Sequence, residues 1–115
     1  MAEVDELITE WLTVPEVADQ LGVDVAKVRQ LLREHRLLAV RSGGVLRVPA
    51  AFIQRGSVLK GLPGALTVLA DAGFSDDEAL RWLFTPDDSL PGSPVQALVE
   101  NRGTEVKRRA QALAF

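Results

Sequence analysis

The chain of 115 residues contains no cysteine and no tyrosine, and its only histidine is His35. Without cysteine it has no disulfides, thiolate metal sites or cysteine nucleophile, and this usage fits a reducing compartment. The glycine-containing stretch 61–64 lacks the Lys-Ser/Thr pair of a phosphate-binding loop. A lone histidine near a helix end more often makes a capping or dipole contact than a catalytic one. We therefore expect no enzyme, no metal site and no cofactor.

Long apolar runs are absent as well. No stretch approaches the roughly 20 apolar residues that span a bilayer, and the acidic residues 1–6 differ from the basic start of a signal peptide. We expect a cytoplasmic protein that makes no membrane contact. Hydrophobic residues make up 47% of the chain and charged residues 25%, which is typical of a globular protein with its own core.

The charge is distributed unevenly along the chain, although the net charge is only −3. Residues 1–23 carry six acids and no Lys or Arg, whereas residues 24–60 carry eight basic residues against two acids, a local net charge of +6. Residues 61–115 carry eight acids and five basic residues. Because DNA binding needs a local basic patch rather than a basic average, the middle segment is the candidate nucleic-acid surface.

Capping signals predict short helices in the N-terminal half. We expect an opening helix over Val4–Leu12, then Thr13 as N-cap of a helix over Pro15–Leu21, with Glu16 completing a capping box. Gly22 supplies the turn after that helix. Two short helices joined by a tight glycine turn, the second with a basic face, indicate a helix-turn-helix.

The second of these helices is predicted over residues 25–36, with Asp24 as its N-cap. A helical period places four apolar residues on one face: Val25, Val28, Leu31 and Leu32. The other side carries side chains suited to reading DNA, because Arg can bond guanine and Gln can bond adenine in the major groove. This predicted contact face consists of Ala26, Lys27, Arg29, Gln30 and Arg33.

A hairpin is predicted over residues 38–48, since two β-prone runs surround a Ser-Gly-Gly turn. It would act as a wing that touches phosphates or the minor groove. Its predicted contact residues are Arg41, Ser42, Gly43 and Arg47. The sequence leaves open whether Arg55 and Lys60, which follow the wing, contact DNA or only solvent.

The second half is predicted to be helical throughout. Helices are expected from Pro63 to Ala72-Gly73, from Ser75 to Phe84, from Ser93-Pro94 to Asn101, and from a Thr104 cap to Ala114. The only sheet would then be the hairpin over 38–48. We expect a winged helix-turn-helix domain over 1–60 and a helical domain over 61–115, joined by apolar side chains such as Leu62 and Leu113.

The stretch 13–23 together with 28–32 resembles MerR-like and excisionase-like winged helix-turn-helix domains. Across nearly its full length, the chain is similar to an actinobacterial DNA-binding protein family that includes a mycobacterial substrate of the Ser/Thr protein kinase L. The matching stretches are 38–41, 62–67, 81–87 and 108–112. The resemblance implies a mostly α, winged helix-turn-helix fold with a helical C-terminal domain, double-stranded DNA as partner, transcription regulation, and a Ser/Thr kinase as a further partner.

A rival interpretation comes from another functional class. The overall acidity also fits a protein-interaction adaptor that keeps the winged fold and binds little DNA. Residues 81–83 and 90–98 are similar to the C-terminal domain of Xre-type antitoxins, which binds a partner toxin. In either interpretation the C-terminal helices would bind a protein partner or a second copy of the chain.

Overall fold

A computed structural model describes residues 4–88, 90 and 92–113, with only the backbone of Asp5. The elements in chain order are α1 (Val4–Leu7), β1 (Trp11–Thr13), α2 (Val14–Leu21), α3 (Val25–Arg33), β2 (Val40–Ser42), β3 (Val45–Pro49), a 3₁₀ turn (Ala50–Phe52), β4 (Ile53–Gln54), β5 (Ser57–Val58), α4 (Leu62–Asp71), α5 (Asp76–Phe84), α6 (Pro94–Val99) and α7 (Gly103–Ala112). The predicted mostly α architecture with a small hairpin is confirmed.

The predicted helix starts are confirmed where a short polar side chain precedes the first turn. Each of these caps accepts a hydrogen bond from the backbone N–H three residues later, which satisfies a donor that the helix itself leaves unpaired. The capping residues are Thr13 for α2, Asp24 for α3, Ser75 for α5 and Ser93 for α6.

Two of these caps are full capping boxes, in which a glutamate returns a hydrogen bond to the cap. The backbone N–H of Thr13 donates to Glu16 Oε1 at 2.8 Å, and that of Ser75 donates to Glu78 Oε1 at 2.9 Å. These backbone bonds, followed by the cap hydroxyls, lower the pKa of both glutamates from the ordinary 4.5. Each carboxylate therefore stabilises the fold above about pH 4.5, and this contribution is lost as pH falls through the lowered pKa.

We expect Glu78→Gln to lower the free energy of unfolding at pH 7, and we expect this loss to shrink as pH falls through the lowered pKa of Glu78. Urea unfolding between pH 7 and pH 3 measures this difference. Glu6→Gln is the control, because Glu6 is exposed on α1 and belongs to neither capping box. A difference that stays constant with pH would contradict the cap assignment.

The predicted opening helix over Val4–Leu12 is wrong beyond its first turn. Helix α1 ends at Leu7, and the chain from Trp11 to Thr13 forms β1, paired antiparallel with β3. Helical periodicity suggested one continuous apolar face here. Cross-strand backbone hydrogen bonds override that weak local preference, because an edge beside β3 is available only in the folded chain.

The prediction of a single sheet is also wrong. Strand β1 turns the wing into a three-stranded sheet of order β1-β3-β2, and β4 pairs with β5 in a second hairpin. After Pro49 the sequence predicts a helical segment over Ala50–Gln54, but the structure has a 3₁₀ turn that ends at Phe52. Leu38, placed in the wing by sequence, is a buried core residue ahead of β2, as is the preceding Leu37.

Helix α3 is shorter than the predicted span of 25–36. It ends at Arg33, and His35 follows in the left-handed region with φ 56°. The backbone N–H of Arg36 bonds to Leu31 O at 2.9 Å, which satisfies a carbonyl that the helix end exposes.

The last two helices also differ from prediction at their ends. Helix α6 stops at Val99, and Asn101 is left-handed with φ 64°. Helix α7 begins at Gly103 after Arg102, so Thr104 is inside the helix and is not its cap. The predicted end at Ala114 lies outside the described residues.

One apolar core contains residues from both halves of the chain. The Phe52 side chain, fully buried in the 3₁₀ turn, lies 5.7 Å from the Phe84 ring of α5, with the rings tilted by 40°. Leu62 is also fully buried, whereas Leu113, predicted to pack inside, is 41% exposed. The division into domains at residue 60 stays a prediction.

Candidate nucleic-acid interface

The helix-turn-helix consists of α2, a glycine turn and α3. Val17 of α2 and Val28 of α3 are fully buried, and the two helices pack on each other. Gly22 adopts φ 69°, and its N–H caps the α2 carbonyls. The turn is short because Asp24 already caps α3, which brings the start of α3 close to the end of α2.

Helix α3 has one apolar face and one exposed polar face. Val28 is buried, and Val25, Leu31 and Leu32 are half-buried against the core. All five residues predicted to contact DNA from this helix are exposed: Ala26, Lys27, Arg29, Gln30 and Arg33. At about 100° per residue, Ala26, Gln30 and Arg33 lie opposite Val28, with Arg29 and Lys27 on the two flanks.

An acid borders this polar face at its C-terminal end. Gln30 Nε2 donates to Glu34 Oε2 at 3.0 Å, and Arg36 Nε lies 3.9 Å from Glu34 Oε1. The Gln30 amide is exposed, and its oxygen remains available to accept a hydrogen bond. The amide nitrogen carries a second N–H, so it can keep the bond to Glu34 and also donate to a base.

The wing has a tight two-residue turn. Ser42 pairs with Val45 across the sheet, and the residues between them, Gly43 and Gly44, have φ 58° and 80°. Left-handed backbone at both positions is what a type I′ turn requires, and glycine adopts it without strain. Arg41 Nη1 donates to the Gly44 carbonyl oxygen at 3.1 Å, which holds the arginine along the turn.

The sheet register separates the two wing arginines. Arg41 lies opposite Leu46, so Arg41 and Arg47 point to opposite faces of the sheet. Arg41 faces the helices, where it borders a groove together with Arg29 of α3. The remaining lining residues of this groove are Thr13, Val14, Pro15, Gly44, Val45 and Leu46.

Arg47 lies half-buried on the face of the sheet opposite Arg41, beside β1. Its guanidinium carbon is 4.9 Å from the centroid of the Trp11 ring, a cation–π contact. Trp11 Nε1 in turn donates to Ile8 O at 3.1 Å. Sequence analysis missed this role of Trp11, although an aromatic residue before a Leu-Thr pair and a helix cap is a signal for a short strand.

The single histidine, His35, lies beside an acid at the surface. His35 Nε2 lies 3.8 Å from Asp76 Oδ1, and both side chains are exposed. Within residues 4–88, 90 and 92–113, no group of three or more His, Asp or Glu side chains is arranged to hold a metal ion. In the same part of the chain, no helix has both the length and the apolar character to cross a membrane.

Comparison with known proteins matches both halves of the chain. Residues 4–53 match the family model described as "DNA-binding protein Rv2175c, wHTH domain", and residues 59–114 match the "Rv2175c C-terminal domain of unknown function". The chain is 49% identical to the DNA-binding protein Rv2175c of Mycobacterium tuberculosis (strain ATCC 25618 / H37Rv), in an alignment that covers 89% of this chain and 79% of that protein.

A solved structure has the same fold. The NMR structure of Rv2175c matches with a TM-score of 0.83 at 45% sequence identity, covering 92% of this chain and 82% of the other. The predicted winged helix-turn-helix with a helical C-terminal half is thereby confirmed. Because both domain models match in order and the identity extends over most of both chains, this chain belongs to the Rv2175c family of winged helix-turn-helix DNA-binding proteins.

Proposed function

We propose that this chain binds double-stranded DNA as a transcriptional regulator, with α3 in the major groove and the β2–β3 wing on the backbone. One observation carries the proposal: Arg29 of α3 and Arg41 of the wing border the same groove, beside an exposed polar helix face. The relative Rv2175c, 49% identical, is named a DNA-binding protein.

The residues of α3 divide by chemistry. Arg29 and Arg33 can each bond guanine O6 and N7 together, and Gln30 can bond adenine. Ala26, the smallest side chain on the face, allows the helix to lie close to the groove floor. Lys27 is a flexible point charge suited to a phosphate.

On the wing, Arg41, Ser42 and Gly43 would contact the sugar–phosphate backbone, because they are exposed at or beside the turn. Gly43 and Gly44 have no side chains, so the wing backbone can approach the duplex closely. We assign Arg47 a different role from the one expected from sequence: over the Trp11 ring, on the face opposite Arg41, it stabilises the sheet that carries the wing.

The charge pattern sets the orientation on DNA. The segment 24–60 carries a net +6, whereas the residues before and after it are acidic overall. The acidic helical half would therefore face away from the duplex.

We propose that the chain is cytoplasmic and catalyses no reaction. A Ser/Thr kinase partner stays a prediction, as does binding through the C-terminal helices, where Val99 is exposed.

Salt-dependent binding tests this proposal. With Lys27 and Arg41 on phosphates and Arg29 and Arg33 on bases, log Kd against log salt should have a slope of at least about 1.8, from about 0.9 per phosphate contact. Fluorescence anisotropy with a labelled duplex measures it. No binding even at low salt would contradict the proposal and favour the adaptor interpretation.

We expect Arg41→Ala to reduce this slope by about 0.9, about equally on all DNA sequences, because it removes one phosphate contact. Arg47→Ala is the matched control: it removes the same charge from the same sheet, but from the face that carries Trp11. Equal slope changes in the two variants would contradict the assignment of Arg41 as the wing contact.

A further inference from the structure

The β4–β5 hairpin, which sequence analysis did not predict, presents an arginine at its tip. Ile53 pairs with Val58 and Gln54 with Ser57, leaving Arg55 and Gly56 as a two-residue turn. Both turn residues are left-handed, with φ 53° and 76°. Arginine at such a position is uncommon, since asparagine and glycine tolerate it better, and the side chain is exposed.

The hairpin stands at the C-terminal end of α2. A Cβ added to Gly56 would lie 3.6 Å from the carbonyl oxygen of Gln20, so the turn packs against the last residues of that helix. Gln20 precedes Asp24, the cap of α3, by four residues, which span at most about 14 Å. The hairpin tip therefore lies at the end of α2 from which the turn leads into α3.

The β2–β3 wing occupies the opposite end of α2. Its groove is bordered by Thr13, Val14 and Pro15, the cap and first residues of that helix. The two hairpins thus stand at the two ends of α2, with α3 packed against the same helix. A duplex that receives α3 in its major groove has a phosphate strand on each side of that groove.

The Arg55 charge is not neutralised within the described residues, where no acid forms an ion pair with it. Two acids, Asp19 and Asp24, belong to the same end of the helix-turn-helix. The Asp24 carboxylate is engaged as the α3 cap, accepting the Lys27 N–H at 2.8 Å. Lys60 does not belong to this region, because it borders a pocket with Asn101 and Lys107 of the helical half.

We propose that the β4–β5 hairpin is a second basic hairpin that binds a DNA backbone phosphate through Arg55, at the end of α2 opposite the β2–β3 wing. The planar guanidinium can give a phosphate two parallel hydrogen bonds. This inference rests on the proposed DNA binding, and it extends the interface to a residue outside the contacts predicted from sequence.

Arg55→Asn tests the proposal without disturbing the turn, because asparagine tolerates left-handed backbone. We expect the salt slope to fall by about 0.9 and the affinity at 0.1 M salt to fall about eightfold, converging with the parent near 1 M. Arg55→Lys, which keeps the charge, should retain the parental slope. An unchanged thermal midpoint of Arg55→Asn would show that the fold is intact.

The failure of this inference is distinguishable from failure of the proposed function. If the parent chain shows no salt-dependent DNA binding, the proposed function fails and the hairpin contact with it. If the parent binds and Arg55→Asn keeps the parental slope, only the hairpin assignment is overturned. Arg108→Ala, exposed on α7, removes one charge from the acidic half and should leave the slope unchanged. An equal drop in that variant would attribute the Arg55 effect to net charge and overturn the contact.

Discussion

Replacing Phe52 with alanine is expected to lower the free energy of unfolding by about 3–5 kcal/mol, the largest stability effect we anticipate. The Phe52 side chain is fully buried, and its ring lies 5.7 Å from that of Phe84 in the helical half. Truncation would leave a cavity in the core that both halves share. For a chain of this size, the midpoint should fall by on the order of 10–20 °C.

The two tryptophans allow the halves to be followed separately. Trp11 reports on the winged half and Trp82 on the helical half, so single-tryptophan variants (Trp82→Phe and Trp11→Phe) give two independent fluorescence transitions. We expect Phe52→Ala to move both transitions together, because a shared core unfolds cooperatively.

Leu113→Ala is the control for this experiment, since that side chain is 41% exposed and should change stability by less than about 1 kcal/mol. A shift of the Trp11 transition alone would show that the halves unfold independently. That outcome would also support the predicted division at residue 60 as a boundary between autonomous domains.

Arg29→Ala and Arg33→Ala should each weaken binding to a preferred duplex by about 1–3 kcal/mol, which is about 5- to 150-fold, and relax the preference for that sequence. Both side chains are exposed on α3, so neither change should unfold the protein. A preferred duplex can be selected from a random-sequence DNA library with the parent protein. Anisotropy on selected and scrambled duplexes then measures affinity and preference together.

Arg41→Ala provides the contrast, because a phosphate contact carries no sequence information and its loss should weaken both duplexes equally. Arg108→Ala, on the acidic half, controls for net charge. Small and equal losses in all four variants would contradict the assignment of α3 as the recognition helix.

The sequence by itself determined where α2, α3, α5 and α6 begin and which face of α3 is polar. A capping residue is a local signal: the Thr13, Asp24, Ser75 and Ser93 side chains each bond a backbone N–H three residues away, so no distant partner is needed. Helical periodicity is likewise a local property, and it predicted which face of α3 is exposed. The family resemblance along nearly the whole chain indicated the winged fold, and the comparisons confirmed it.

Only the tertiary structure decided that β1, β4 and β5 became strands in addition to the predicted β2–β3 hairpin. Strand β1 exists because β3 offers it an edge, and the β4–β5 hairpin exists with its tip packed on the end of α2. Both are short, and a few residues carry too little intrinsic preference to reveal a strand in the sequence. Backbone pairing and packing in the folded chain therefore determined these strands, which local propensity alone did not predict.

The faces of the wing arginines were also decided in three dimensions. Arg41 and Arg47 are alike in sequence, since each flanks the same glycine turn. A strand alternates its side chains between faces, so a one-residue difference in register reverses the side to which an arginine points. The register that pairs Arg41 with Leu46 directs Arg41 toward α3 and Arg47 onto Trp11. Composition and spacing determined that this segment is basic, and strand pairing decided which of its charges borders the groove.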